Sequence, residues 1–424
     1  MSRLEELIQQ YCPNGVEYKK LGDIATLTRG GNFQKKDFTD SGVPCIHYGQ
    51  IYTHYGIHTT STIKYISPEV ARKSKIAKTN DIVMAITSEN VDDVGKCVAW
   101  LGDKDIAVSG HTAIIQHKQN AKYLSYYFHT RHFFTQKKKL AHGTKVIEIS
   151  PKALADVLVP IPPLPVQEEI VRILDNFAEL QAELQAELQA ELQKRLQQYE
   201  YYRDKLLSFS DLSNWGGQNV SVEWKKLGEL GVFYGGLSGK TKDDFKDGNA
   251  KFISYKNVFY NLSLNVDTDE RVKIGEGEKQ NTVQYGDILF TGSSETPDEC
   301  GMSSVLTQKT DEKLYLNSFC FGYRLHNLSQ FCPDFLKHLF RCNELRKQIG
   351  KTASGTTRFN VSKKRFAEVS IPVPPLPVQK QIADILDKFY TLTADLTAGL
   401  PAEIEARRKQ YEYYRDQLLT FKKK

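Results

Sequence analysis

Two stretches of this chain are written twice at one spacing. The segment VLVPIPPLPVQEEIVRILDNF (157–177) returns as VSIPVPPLPVQKQIADILDKF (369–389), with 13 of 21 positions identical at an offset of 212. The segment RLQQYEYYRDKLLSF (195–209) returns as RRKQYEYYRDQLLTF (407–421) at the same offset, with 11 of 15 identical. VEYKKLGDI (16–24) and VEWKKLGEL (222–230) open the two copies at an offset of 206, so the second insert is six residues longer. The whole chain is 424 residues, twice 212. A duplicated frame holding two mostly unlike inserts presents two different surfaces from one scaffold.

Each copy reads as an opening strand, a variable globular stretch, a Pro-rich corner and a long helix. Asp81–Thr87 (DIVMAIT) and Asp287–Thr291 (DILFT) are short apolar strands bounded by turn residues. Ala121–Lys139 and Pro333–Ile349 carry helical periodicity. Gly-Thr turns follow at Gly143–Thr144 and Gly355–Thr356, then short helices capped by Ser150, with Pro151 in the first turn, and by Ser362. The corners PIPPLPVQ and PVPPLPVQ are expected to be extended, because proline lacks a donor and restricts its predecessor.

From Val166 to Phe209 there is neither Pro nor Gly, enough for a rod of roughly 66 Å. Its middle, AELQAELQAELQAELQ (178–193), places Leu180, Leu184, Leu188, Leu192 and Leu196 four apart, a stripe that drifts by ~40° per repeat. In the second helix Gly399 and Pro401 predict two rods meeting near Pro401. The linker at 210–221 reaches at most ~43 Å, which suits an antiparallel helix pair, as does the symmetry of a fused two-fold dimer. The fold class expected is α+β: two mixed α/β domains separated by two long antiparallel α-helices forming a coiled-coil spacer, with pseudo-two-fold symmetry. The expected segments are an N-terminal helix at 1–15 near the C-terminal end, a first domain at 16–165, helix one at 166–209, the linker, a second domain at 222–377 and helix two at 378–421.

Seven cysteines without a CxxC pair argue for a reducing compartment and against zinc or a disulfide frame. No window approaches the ~18 apolar residues of a membrane helix, and MSRLEELIQQY is neither a signal nor a transit peptide, so a cytoplasmic protein without membrane contact is expected. The net charge of +6 permits a polyanion partner without requiring one. Basic residues cluster at Lys35–Lys36, at Arg72, Lys73, Lys75 and Lys78, at Lys137–Lys139 and at Lys363–Arg365, either as solvated faces or as nucleic-acid contacts.

Catalytic signatures fail. No [DN]PP[YF] motif is present. GGLSGKT (235–241) leaves three residues, not four, between Gly235 and Gly239–Lys240, one short of a phosphate loop. Pro297–Asp298 and Pro333–Asp334 lack a following Glu-x-Lys. Eight histidines fall in the first half and two in the second; His54 and His58 lack further ligands at metal spacing and read as surface or core residues, or as DNA contacts.

PPLPVQ, the following I..ILD.F helix and the YEYYRD.LL.F tail, present twice around two unlike domains, resemble the specificity subunits of type I restriction-modification systems. The resemblance covers essentially the whole chain, and the AELQ repeat is similar to the TAEL-like repeats of one branch. ITSENVDDVGK (86–96) with VSGHTAIIQ (108–116), and FTGSSETPDECGMSSVL (290–306), look like target recognition domains. The resemblance implies a subunit without chemistry of its own. Each variable domain would read one half of a bipartite double-stranded DNA target. The helices would set the gap and dock two methyltransferase subunits, and restriction-translocase subunits would complete the assembly. S-adenosylmethionine, ATP and Mg belong on that reading to the partners, with no cofactor or metal in this chain.

Phosphate contacts are expected from Lys35, Lys36, Lys64, Lys145, Lys240, Lys242, Lys256 and Arg358, and base contacts from Gln34, Asn90, His111 and Ser294. Tyr199, Tyr201, Tyr202 and their twins Tyr411, Tyr413 and Tyr414 either pack under the variable domains or dock the methyltransferase subunits. One AELQ unit is worth at most ~6 Å of rod, or one to two base pairs. The competing reading is a structural coiled-coil adaptor with two protein-binding heads.

Overall fold

A computed structural model describes residues 2–209 and 221–424, so all but the last residue of the expected linker lies outside the described residues. The chain forms two compact units, the first made of residues 1–187 with 401–424, the second of 188–400. Each unit therefore joins one variable domain to part of both long helices, where the sequence reading cut between domains and helices.

In the first unit one five-stranded sheet runs in the order Ala25–Arg29, Thr112–His117, Ile82–Ala85, Cys97–Trp100, His58–Thr59. A second holds Phe38–Thr39, Lys64–Ile66, Val43–Ile46, Ile106–Val108 and Lys75–Ala77. The alternation of side chains along the central strand sends Ile82 and Met84 into one apolar cluster and Val83 and Ala85 into another. Both faces are covered, which is why DIVMAIT is apolar throughout rather than at every second position. The second unit repeats this with four-stranded sheets: Ile288 and Phe290 face one cluster, Leu289 the other. In each unit the opening strand pairs antiparallel with the corner strand, Tyr18–Lys20 with Leu158–Pro160 and Glu223–Lys226 with Ser370–Val373.

The helical stretch expected over 121–139 is two helices, Ala121–Phe128 and Arg131–Leu140. Thr130 breaks it by capping: its Oγ accepts from the backbone N–H of Phe133. Pro333–Leu339 and Asn343–Gly350 divide likewise. Ser150 and Ser362 cap the following short helices.

The long helices span Leu164–Leu207 and Leu376–Leu418. They begin inside the corners expected to be extended, because Pro165 and Pro377 fall in the first turn, where no backbone donor is needed. Gly399 and Pro401 do not break the second helix, which continues through both. Within each unit the two helices run antiparallel. Phe177 stacks on Tyr414 at 6.0 Å in the first, and Leu184 shares a groove with Arg407. In the second, Tyr202 stacks on Phe389 at 5.2 Å and Tyr199 lies 5.9 Å from Tyr390. The leucine stripe is only half covered: Leu184, Leu188 and Leu192 are half-buried, while Leu180 and Leu196 are exposed.

The repeated motifs act as clamps. Gln167 is fully buried; its Oε1 accepts from the N–H of Asn120 (3.0 Å) and its Nε2 donates to the carbonyl of Pro162 (2.7 Å). Gln379 does the same with Cys332 (2.9 Å) and Pro374 (2.8 Å). Asp175 accepts from Lys122 and Tyr126 at 2.7 and 2.8 Å; its twin Asp387 accepts from Lys337 and His338 at 3.0 and 2.7 Å. With His338 Nε2 donating to that carboxylate, its Nδ1 accepts from Tyr199 OH at 2.9 Å, and burial pushes the imidazole pKa down.

The helix Arg3–Tyr11, capped by Ser2 and Glu5, buries Leu4 in the cluster that also takes Leu419. Val16 pairs with Lys423, and Gly15, at φ +97°, lies so close that an added Cβ would sit 2.5 Å from the carbonyl oxygen of Lys422.

Candidate nucleic-acid interface

The same four pieces meet in both units: a short helix, the loop after the central strand, a hairpin arm, and the residue before a long strand. The short helices are Tyr48–Thr53 and Tyr255–Tyr260. After the central strand, Thr87–Ser88 pairs with Ile147–Glu148, and Ser293–Ser294 with Phe359–Asn360, which seats the hairpin arms carrying Lys145 and Arg358 beside the loops. A tyrosine of each short helix ties down the first loop carbonyl. Tyr52 OH donates to that of Thr87 (2.6 Å), Tyr255 OH to that of Ser293 (2.8 Å).

The far end of each loop is held by a cation, buried in the first unit and half-buried in the second. Lys137 Nζ donates to the carbonyls of Asp92 and Val94 at 2.8 and 2.6 Å. Arg346 donates to those of Asp298 and Cys300 at 2.7 and 2.6 Å. Arg341 adds bonds to Phe259 and Ser303, joining the short helix of the second unit to the sheet. Burial lowers the pKa of Lys137 to about 8 and those of both arginines to about 10. These carbonyls satisfy donors taken out of water, and they fix each loop through its backbone as well as through its own side chains.

In the second unit the pieces enclose an open cleft of about 600 Å³. Tyr255, Phe259, Tyr260 and Phe319 supply its aromatic walls, Lys256 and Arg358 its cations, and Ser294, Glu295 and Glu299 its acceptors. Tyr260 is 72% exposed and Phe319 57%. The Arg358 guanidinium lies 5.4 Å over the Phe319 ring and donates to Ser293 Oγ at 3.2 Å. Lys256, Ser294 and Arg358, singled out from sequence, thus share one site. Ser294 Oγ is partly used, donating to Glu299 at 3.0 Å.

The first unit builds the matching face from different residues. His111, exposed, sits with its ring 5.0 Å from Tyr48, itself 6.3 Å from Tyr52. His47 caps the helix by accepting from the Gly49 N–H at 3.2 Å, and burial takes its pKa down to about 4. Lys35 reaches this helix, its Cε being 3.8 Å from where a Gly49 Cβ would stand, and Gln34, Lys35 and Lys36 are all exposed around one turn.

Other expected contacts are differently placed. Lys240 is an internal ion-pair partner, 2.6 Å from Glu278 with its side chain only 9% exposed. Hydrogen bonds from Lys240, Gln280 and the Gly275 N–H hold the Glu278 carboxyl pKa near 2. Gly236, the neighbour of Gly235, serves packing: a Cβ would fall 2.1 Å from the Asn317 carbonyl, as one on Gly30 would fall 2.0 Å from that of Ser109. Asn90 accepts from the Asp93 N–H and donates to its carboxylate, spending its amide on its own loop. Lys64 pairs with Asp40 at 3.0 Å. Lys145 and Lys242 are exposed. Tyr199 is buried and Tyr411 half-buried, whereas Tyr201 and Tyr413 are 60% and 59% exposed, with Tyr414 at 42% and Tyr202 half-buried.

The sequence reading missed Glu295, Tyr48, Tyr52, Tyr255, Phe319, Arg341 and Arg346, and took Lys137 only as one of a basic cluster. One signal was available: DIVMAITSE (81–89) and DILFTGSSE (287–295) align without a gap at the offset of the opening strands and end in the same Ser-Glu.

The model of the type I restriction modification DNA specificity domain matches residues 13–194 and again 219–406. The Escherichia coli EcoR124I/EcoR124II specificity subunit is 35% identical over 271 residues, 61% of this chain and 60% of that protein. The chain therefore spans under two thirds of that relative's length. A Mycoplasma pneumoniae protein described as a candidate type I specificity subunit is 31% identical over 62% of this chain and 92% of its own length. By fold, the chain resembles a chain from a structural study of type I R-M complex assembly, with TM-score 0.72 at 18% identity over 96% and 98% of the two chains. It also resembles the HsdS subunit of Thermoanaerobacter tengcongensis, with TM-score 0.60 at 16% identity over 96% of each. With both copies of the repeat matched by the family model, the chain belongs to the type I restriction modification DNA specificity family.

Proposed function

We propose that this chain is the non-catalytic, sequence-specific DNA-binding subunit of a type I restriction-modification complex, each variable domain reading one half of a bipartite target. The observation that carries this reading is that equivalent backbone sites present unlike side chains: Gly49 against Lys256, His111 against Phe319, Val146 against Arg358. A constant frame with exchanged contact residues is what reading two different sequences requires. Lys and Arg supply salt-dependent affinity to phosphates, and the polar and aromatic groups between them choose the bases. The long helices set the gap between the half-sites.

Two methyltransferase subunits dock on the helices. In the first unit Leu180 and Tyr413 are 63% and 59% exposed, and their twins in the second, Leu392 and Tyr201, are 61% and 60% exposed. Exposed apolar side chains at repeated positions suit two copies of one partner. Restriction-translocase subunits join that assembly, and S-adenosylmethionine, ATP and Mg are used by the partners. Among the described residues no group of three metal-ligating side chains is assembled and no helix is long and apolar enough to cross a membrane. The chain works in the cytoplasm, where its DNA lies.

The test is to exchange residues 16–160 for the corresponding stretch of another family member and map methylated adenines genome-wide with the methyltransferase subunits present. One half-site changes and the other stays. Two changed half-sites, or methylation independent of this chain, would refute the reading.

A further inference from the structure

Glu89 and Glu295 are the same residue of the frame used twice. Each closes the nine-residue stretch DIVMAITSE or DILFTGSSE, eight positions after the aspartate, although most residues between differ. Each follows a serine whose strand is paired to a hairpin arm. Each lies two residues beyond a carbonyl fixed by a tyrosine hydroxyl and at the start of a loop anchored by Lys137 or Arg346. The backbone of both glutamates is thus set from two sides, while both side chains are exposed and, among the described residues, neither is held in an ion pair or hydrogen bond.

A free carboxylate is out of place on a surface that meets phosphates, where it is repelled. The hairpin arms beside these loops carry Lys145 and Arg358, and Glu295 lines the same cleft as Lys256 and Arg358. Retaining a negative charge there is favourable only if it faces hydrogen-bond donors. On duplex DNA the base-edge donors of the major groove are the N6 amine of adenine and the N4 amine of cytosine; guanine and thymine present acceptors that a carboxylate repels.

We propose that Glu89 and Glu295 each accept a hydrogen bond from an exocyclic base amine, one in each half-site, and so reject guanine and thymine on that strand at one position. This rests on the DNA-binding reading above. The test uses the complete chain with its methyltransferase subunits and maps methylated sites for the wild type, Glu89→Ala, Glu295→Ala and Glu295→Gln. Glu295→Ala relaxes one position of one half-site, with discrimination there falling about tenfold or more, and leaves the other half-site intact; Glu89→Ala does the converse. Glu295→Gln, which can also donate, admits guanine or thymine at that position. Unchanged sites in both alanine variants would overturn the inference and leave the DNA-binding reading standing. Uniform loss at all positions would also overturn it, showing that the carboxylates serve the scaffold. A wild-type chain that directs no methylation would fail the underlying reading itself.

Discussion

Replacing Gln379 by alanine removes a side chain with no exposed surface and three hydrogen bonds. The N–H of Cys332 loses its acceptor, and the carbonyls of Gln330 and Pro374 lose their donor. At ~1 kcal/mol for each bond the loss is ~3 kcal/mol, and the void left behind adds to it. For a unit of this size that lowers the melting transition by roughly 6–12 °C. Calorimetry of the complete chain, with urea unfolding followed by fluorescence, reads the effect. Gln167→Ala should come close in the first unit, slightly milder because one of its partners is the side-chain amide of Gln119, free to turn to water, rather than a backbone carbonyl. A loss below ~1 kcal/mol in both would show that the freed backbone groups find other partners, and the clamp would not explain why PPLPVQ is repeated.

Three more outcomes follow. Arg358→Ala and Lys256→Ala should each weaken DNA binding across sequences and reduce its salt dependence by about one phosphate contact, measured by titration at several salt concentrations. Lys240→Ala should leave that slope unchanged, because this lysine is paired with Glu278. Burial takes the pKa values of His47, His117 and His129 down to about 4 from 6.5. The unfolded chain then takes up protons first on acidification. Their contribution is full above 6.5 and is lost as pH falls towards 4, at up to ~1.4 kcal/mol per pH unit for each. Equal urea midpoints at about pH 7 and about pH 5 would contradict this.

What could be read in the sequence was whatever repeated or had a period. The antiparallel pairing followed from symmetry, and the central strands from DIVMAIT and DILFT. Lys137–Lys139 shows the limit. The three residues look alike, yet Lys137 stands one helical turn after buried Phe133 and points inward, while Lys138 and Lys139 are exposed. Its partners are backbone carbonyls, which have no letter in a sequence. Pro401 shows a different limit. A proline withholds one donor, a local cost of ~3 kcal/mol that the helix on either side outweighs.

How one pair of helices carries two dissimilar domains is a matter of which atoms the helices grip. Gln167 and Gln379 take the backbone N–H of Asn120 and of Cys332. Asp416 and Asp204 take the backbone N–H of Arg131 and of Asn343, each at the start of a domain helix. On the helix side the residues are identical between copies; on the domain side they are not, and need not be, because every residue but proline offers the same donor. Side chains add to this grip at Asp204, which also accepts from Asn343 Nδ2, and they make up the whole of it at Asp175 and Asp387. At that last pair the domains differ, Tyr126 donating in one unit and His338 in the other. Cys332→Ala should therefore cost under ~1 kcal/mol, since its N–H remains, while Cys332→Pro, which removes that N–H, should approach the loss of Gln379→Ala. Comparable losses for the alanine and proline variants would mean that the grip depends on the domain's side chains, and a domain could not then be exchanged without altering the helices beneath it.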